Sequence, residues 1–391
     1  MGSASSAISP TLRGAFRPFF LGAALLAVVA LPLWAAVFSG ANVPAPVGDA
    51  LAWHRHEMIF GFAGAAVIGF MLTAIANWTG RKLLAGWSVA ALAALWLAVR
   101  VAFLFGKPGM AMVAEGTLFL VVAGFAAREI NASGNRNMPI ALAVALVGAA
   151  SVADLAVIAR LIADNDTGWR AGLALIAVLM SLIGGRIIPA FTRNWLVKVG
   201  KAPPHPVMPT KPDLVIVAAT ALLLGLWAFG VAPPLLGWGL MALGAAHLWR
   251  LSRWQGWRTL ADPLVAVLHL AYLWLPVALL LLGSGAIDPA LPRSAGVHAL
   301  GAGGAGLLIL AVMSRASLGH TGRPLAAGPM LTAAYALVLV GAVVRVIAAA
   351  GYWAGIAPIH LSATLWAGGF ALFLVLYWPI LTRAHISDPA R

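Results

Sequence analysis

From Arg17 to Arg383 the chain is a succession of apolar runs, each long enough to cross a bilayer as a helix, for which about 18 residues suffice. Twelve are read, at 17–39, 50–78, 83–105, 110–130, 138–160, 170–194, 213–231, 233–250, 260–283, 295–318, 326–350 and 358–381. They are rich in Ala, Leu and Val with interspersed glycine, as close-packed membrane helices require. They lack the alternating polarity of barrel strands. With 62% hydrophobic residues, 9% charged residues and a mean hydropathy of +0.96, no soluble class fits. The fold expected is an all-α polytopic membrane protein, one transmembrane domain over residues 1–391 embedded in the lipid bilayer. The longest polar connector, Lys198 to Lys211, reads as a Pro-rich extended loop.

The basic residues set an orientation. With the N-terminus inside, seventeen Lys and Arg fall on the cytoplasmic side, from Arg13 and Arg17 to Arg383 and Arg391, against five on the other, Arg55, Lys107, Arg160, Arg170 and Arg293. This bias places both termini in the cytoplasm. The net charge of +14 therefore records topology and attraction to anionic lipid, and no nucleic-acid surface is expected. There is no cysteine, which excludes thiolate copper sites, iron–sulfur clusters and disulfides.

Two segments 242 positions apart repeat one another without a gap. Each starts at a histidine, His56 or His298, and shares Gly61/Gly303, Met71/Met313, the Thr-Gly-Arg turns at Thr79–Arg81 and Thr321–Arg323, and Gly86/Gly328. The copies lie on spans two and ten, in the same direction. A four-helix unit present three times, over 1–135, 136–255 and 256–391, accounts for that spacing. Span six is then a weak middle copy, with Met180, Ser181, Thr192 and Arg193 but no histidine. A duplicated helix that places an imidazole at one depth twice is a means of clamping a metal.

The other histidines sort by depth. His54 and His360 join His56 and His298 near the outer surface, His269 lies inside span nine, and His247 and His320 lie near the inner face. His54 and His56 are about 200° apart on a helix, where they can serve two centres on either flank; were the helix to start later, a looped W-H-R-H-E would chelate one ion. His298 and His320 are about 33 Å apart on a continuous helix and cannot share a metal. The candidate metal ligands are thus His54, His56, His269, His298, His320 and His360. Glu57, beside His56, and Tyr272, three residues after His269 and on the same face, are the candidate catalytic groups for orienting an imidazole or moving a proton. Intramembrane Arg186 and Arg345 suit either porphyrin propionates or an acid such as Asp154 or Glu115.

Several blocks together resemble the NnrS family: F-R-P-F-F (Phe16–Phe20), W-H-x-H-E-M-x-F-G-F (Trp53–Phe62), N-W-T-G (Asn77–Gly80), G-G-R-x-I-P-x-F-T-R-N (Gly184–Asn194), H-L-x-Y-L-W (His269–Trp274) and S-R-A-S-L-G-H-T-G-R-P (Ser314–Pro324). The resemblance spans nearly the whole chain. It implies a bacterial inner-membrane protein containing haem and copper and linked to nitric oxide stress and denitrification. Twelve spans with outer histidines on spans two and ten are also similar to the catalytic subunit of haem–copper oxidases and nitric oxide reductases. Here the H-x-H lies on span two, and the adjacent-histidine copper motif is missing. On this likeness His56 and His298 are expected to hold haem b, with Arg186 and Arg345 as propionate partners. A second site, holding copper with fewer ligands, another haem or no metal, would use His54 with His360 or His269. The expected ligand is nitric oxide or another diatomic gas, and the electron donor is unidentified. An oxidoreductase acting on nitric oxide, a transporter of metal, haem or a small anion, and a non-catalytic sensor or assembly factor all stay open.

Overall fold

The structure, a computed structural model, describes residues 8–41, 49–163, 165–231, 233–288 and 290–386; Arg391, counted among the basic residues, lies outside them. The long helices are α1 (Phe16–Phe38), α2 (Ala50–Thr79), α3 (Trp87–Leu104), α4 (Pro108–Ala132), α5 (Met138–Ile158), α6 (Thr167–Lys198), α7 (Lys211–Ala228), α8 (Pro233–Ser252), α9 (Pro263–Ile287), α10 (Arg293–His320), α11 (Pro329–Ala349) and α12 (Ala357–Thr382). Each expected run is therefore a helix, and there is no strand among the described residues. Eleven of these helices are long and apolar enough to span a membrane, and α8 is a further 20-residue helix.

The boundaries follow local chemistry. The third span begins at Trp87 rather than at residue 83, because Gly80 (φ 66°) ends α2 in the left-handed region and Gly86 (φ 69°) turns the chain again. Only glycine adopts such angles without strain. The second copy of the repeat does the same at Gly322 (φ 73°). The preceding threonines donate back one turn in both copies, Thr79 to the Ile75 carbonyl at 2.7 Å and Thr321 to the Ser317 carbonyl at 2.6 Å.

The duplication extends to an irregularity that composition does not announce. α2 and α10 each contain a seven-residue π-helical stretch, Glu57–Ala63 and Ala299–Ala305, starting at the residue after the repeated histidine. A π-turn widens the helix and leaves a carbonyl short of its partner. In both copies a tryptophan from another helix supplies one: the Trp96 indole donates to the Gly61 carbonyl at 3.1 Å, and that of Trp366 to the Ala302 carbonyl at 3.0 Å. α6 has a shorter π-stretch at Met180–Gly184.

Packing divides the chain into two compact units, Met1–Gly172 with Met313–Pro324 and Phe370–Arg391, and Leu173–Val312 with Leu325–Gly369. In the first, glycines admit bulky rings. A Cβ on Gly69 would stand 3.1 Å from the Phe20 ring, and one on Gly148 would stand 3.0 Å from the Phe119 ring. In the second, α8 and α9 bring backbones together, so that a Cβ on Gly283 would stand 2.6 Å from the Gly237 carbonyl. This is the small-residue packing that membrane helices use in place of a hydrophobic drive. The long connector after α6 is fastened: Arg258 donates to the Ala202 carbonyl at 2.7 Å and the Pro204 carbonyl at 2.5 Å.

Arg17 explains the F-R-P-F-F block. Its side chain is buried, and Nη1 donates to the carbonyls of Leu381 (2.8 Å) and Arg383 (2.7 Å) at the end of α12. Helix C-termini leave such carbonyls unpaired and carry partial negative charge, which a guanidinium satisfies. Arg17→Ala should destabilise the protein by about 2–3 kcal/mol, the scale of hydrogen bonds to a charged group, with Arg17→Lys recovering part of the loss; thermal unfolding in detergent measures both.

Candidate functional site

Four consecutive helices of the first unit converge on a set of charges enclosed by protein. α2 supplies His56 and Glu57, α3 Arg100, α4 Glu115, and α5 Ser151 and Asp154; all are buried. Their positions in the helices match in depth. His56 and Glu115 lie within two turns of the starts of α2 and α4, while Arg100 and Asp154 lie about one turn before the ends of α3 and α5. An up-and-down hairpin order brings these ends together.

His56 sits between two carboxylates. Its Nδ1 is 2.9 Å from Asp154 Oδ2 and its Nε2 is 2.8 Å from Glu115 Oε2. Ser151 donates to the same Glu115 oxygen at 2.6 Å. Arg100 bridges the acids, donating from Nη2 to Glu115 Oε1 at 2.5 Å and from Nη1 to Glu57 Oε2 at 2.8 Å. Phe60 and Phe103 enclose the imidazole, each with its ring centroid 5.0 Å away. Gly61 makes room, since a Cβ there would stand 2.3 Å from Arg100 Nη1 and 2.4 Å from Glu57 Oε2.

Hydrogen-bond bookkeeping fixes a proton in this triad. A neutral imidazole has one N–H and one bare lone pair, and an ionised carboxylate only accepts. With both carboxylates ionised and the ring neutral, one of the two contacts would set lone pair against lone pair. The triad therefore carries one proton more, as an imidazolium between two carboxylates or as a neutral ring beside one carboxylic acid.

The second unit builds a different centre. Arg250 on α8 donates from Nε to Asp213 Oδ1 at 2.8 Å and from Nη1 to the Ser181 carbonyl at 2.9 Å and the Tyr272 hydroxyl at 3.0 Å. Arg253 and Thr210 hold the other Asp213 oxygen. The direction of the next bonds is determined. Thr220 gives its only hydroxyl proton to the Ile216 carbonyl at 2.7 Å, so its oxygen accepts from His247 Nε2 at 3.0 Å. His247 Nδ1 is then the bare nitrogen, and it accepts from the Tyr272 hydroxyl at 2.9 Å. The same logic applies to His269. Thr192 donates to the Ile188 carbonyl, so His269 Nε2 donates to Thr192 at 2.8 Å, and His269 Nδ1 is a buried lone pair with no protein donor. The Gly184–Gly185 pair of the G-G-R motif fits this centre closely: a Cβ on Gly185 would stand 2.0 Å from Arg250 Nη2, and one on Gly184 would stand 3.2 Å from Tyr272.

The residues singled out in the sequence are distributed as follows. His56 and Glu57 enter the first centre and Tyr272 the second, where its partner is His247 rather than His269. Glu115 and Asp154, expected as possible partners of Arg186 or Arg345, are taken by His56 and Arg100. Arg186 is exposed on α6. His54 stacks on Trp34 with centroids 4.2 Å apart, and His320 is exposed at the end of α10 with Phe16 beside its ring, 5.4 Å between centroids. His360 is half-buried near the start of α12. His298 is half-buried, directs Nδ1 to the Ser294 carbonyl at 2.7 Å, and lies within electrostatic range of Arg345. Arg100, His247, Arg250 and Asp213 were not singled out as site residues. The signal for Arg100 was available, because an arginine one turn before the end of one span faces an acid two turns into the next.

Axial ligation of iron needs a bare imidazole nitrogen, and as folded His56 has none, both being engaged by carboxylates. The expected His56–His298 clamp does not fit on the His56 side. His298 does fit: its Nδ1–H is fixed on a backbone carbonyl, the arrangement that orients a ligating histidine and leaves Nε2 for the metal. No group of three or more His, Asp or Glu side chains that could hold a metal ion occurs among the described residues.

Helices and centres together define a multi-pass membrane protein that keeps ionisable groups inside its spans. The chain belongs to the NnrS family: the pattern of that family, described as NnrS protein, matches residues 10–385. Comparison with curated proteins gave no match.

Gly185→Ala drives a methyl group into Arg250 and should cost about 1–3 kcal/mol of stability, as overpacking does. Gly225→Ala is the control, because a Cβ there meets nothing within 4 Å. Comparing the two unfolding temperatures checks this.

Proposed function

We propose that the protein works in the bacterial inner membrane in the response to nitric oxide, with both termini cytoplasmic, binding haem b through His298 and keeping protons for its task in the His56 triad. The observation that carries the proton part is the histidine held at both nitrogens by carboxylates inside a lipid-embedded unit. Ionisable groups in spans are costly and mark proton or ion routes far more often than they serve packing. Family membership supports the nitric oxide context, and the orientation rests on the distribution of basic residues.

His298 is the haem ligand in this reading, with Nδ1–H on Ser294 and Arg345 near enough to attract a propionate. Haem bound there would supply an iron able to bind a diatomic ligand. Nitric oxide is small and apolar enough to arrive through the bilayer, so no polar channel is required. The chain's own contribution is to orient one imidazole and to hold a proton on His56, Glu115 or Asp154, with Arg100 compensating the acids. Reductive handling of nitric oxide takes up protons with electrons, and the electrons would come from a donor outside this chain.

A proton-coupled transporter is the second reading, favoured by the same triad. It would use His56 without any haem. The reading proposed here expects protein purified from haem-replete cells to show a Soret band that His298→Ala removes and His56→Gln retains. A colourless wild type, or a band lost in His56→Gln and kept in His298→Ala, overturns it.

A further inference from the structure

One oxygen of the first centre is unaccounted for. Glu57 is 1% exposed, its Oε2 accepts from Arg100, and its Oε1 is buried with no partner. Among the described residues, four other ionisable groups are bonded into this cluster. His56 precedes it on α2, Arg100 comes from α3, Glu115 from α4 and Asp154 from α5. α1, which also packs on this stretch, presents only apolar side chains there, such as Leu26 against Gly61.

The charges then add up in one way. Glu115, Asp154 and the proton their hydrogen bonds to His56 require amount to a net single negative charge. Arg100 cancels it. An ionised Glu57 would leave the enclosed cluster one charge negative, with a bare carboxylate oxygen in a low-dielectric site. A charge so placed costs several kcal/mol even after relaxation. A neutral carboxyl removes the uncompensated charge and keeps the Arg100 bond through its carbonyl oxygen, leaving on Oε1 a hydroxyl that a water molecule would accept from.

We propose that Glu57 is a protonated carboxylic acid in the resting protein, with its proton on Oε1, so that the centre stores two protons: one shared in the triad and one on Glu57. The assignment rests on reading the cluster as a proton store and names its exchangeable member. The triad proton is held between two bases, whereas the Glu57 proton faces no protein acceptor and is the one free to leave. Trp53, one turn earlier on the same face, is likewise buried with its indole N–H unpaired. A water molecule accepting from Oε1 would be the first stop of the departing proton.

Infrared spectroscopy of the purified protein in lipid at neutral pH tests this. Wild type should show the carbonyl stretch of a protonated carboxyl that shifts in heavy water and with glutamate-specific ¹³C labelling, and Glu57→Gln should remove it. Because Gln reproduces a neutral acid, Glu57→Gln should leave the unfolding temperature unchanged, whereas Glu115→Gln should lower it. A labelled wild type without the band overturns the proposal even if no variant folds. So does a band that persists in Glu57→Gln. A sodium- or potassium-dependent rise in unfolding temperature, lost in Glu57→Gln, would put a cation at Oε1 and overturn it too. None of these outcomes depends on haem, so the Soret measurement fails or succeeds independently.

Discussion

An unpaired charge in the bilayer interior is so costly that the ionised groups of both centres arrive with counter-ions and hydrogen bonds. Arg100 answers Glu115 and donates a hydrogen bond to Glu57, His56 answers Glu115 and Asp154, and Arg250 and Arg253 answer Asp213. The helices are tied into hairpins by these pairs as much as by packing. No hydrophobic force draws one apolar helix to another in lipid, so polar contacts and close backbone approach must do it. In the first unit one network takes a group from each of α2, α3, α4 and α5. Removing one member strands the others, which makes the network a condition of that fold as well as its chemical centre.

Space for those side chains comes from glycine. Gly61 admits Arg100 and Glu57, Gly185 admits Arg250, and Gly184 borders Tyr272. The two π-stretches make a related provision at a different scale. Each widens the helix directly after a repeated histidine, and a tryptophan indole satisfies the carbonyl. Duplication has thus kept a backbone device along with an imidazole. The copies have diverged in what surrounds them: carboxylates hold His56, while a backbone carbonyl holds Nδ1 of His298. A shared ancestry of sequence need not mean a shared partner.

The sequence made the helices legible because apolar length is a one-dimensional property. All twelve runs could be read, and the errors lie at ends where a left-handed glycine such as Gly80 or Gly86 stops the helix. The Thr-Gly-Arg repeat and the gapless register also showed directly. Much of the site did not, since a pairing between helices is a matter of rotation and depth that hydropathy does not encode. His247 looked like an interfacial residue, yet α8 turns it inward to meet Tyr272. His269 and Tyr272 share a face, as spacing required, but Thr192 and His247 claim them separately. Glu115 and Asp154 were recognisable as intramembrane acids, but Arg186 and Arg345 were the partners expected, and His56 and Arg100 take them.

Chemistry in the two centres differs because the acceptors differ. In the second, threonine hydroxyls already spent on helix carbonyls force each histidine into one tautomer, so the chain from Arg250 through Tyr272 and His247 to Thr220 has a fixed direction and every group in it is satisfied. Such an arrangement resists change in protonation, because moving one proton breaks a bond at each end. In the first, His56 faces carboxylates, whose oxygens exchange a proton with a ring nitrogen without loss of either contact. A proton there can be relocated within the triad at small structural cost. Tautomer-locked histidines suit rigidity and carboxylate-flanked ones suit transfer, and that contrast is the physical ground for proposing proton handling at His56 rather than at Tyr272.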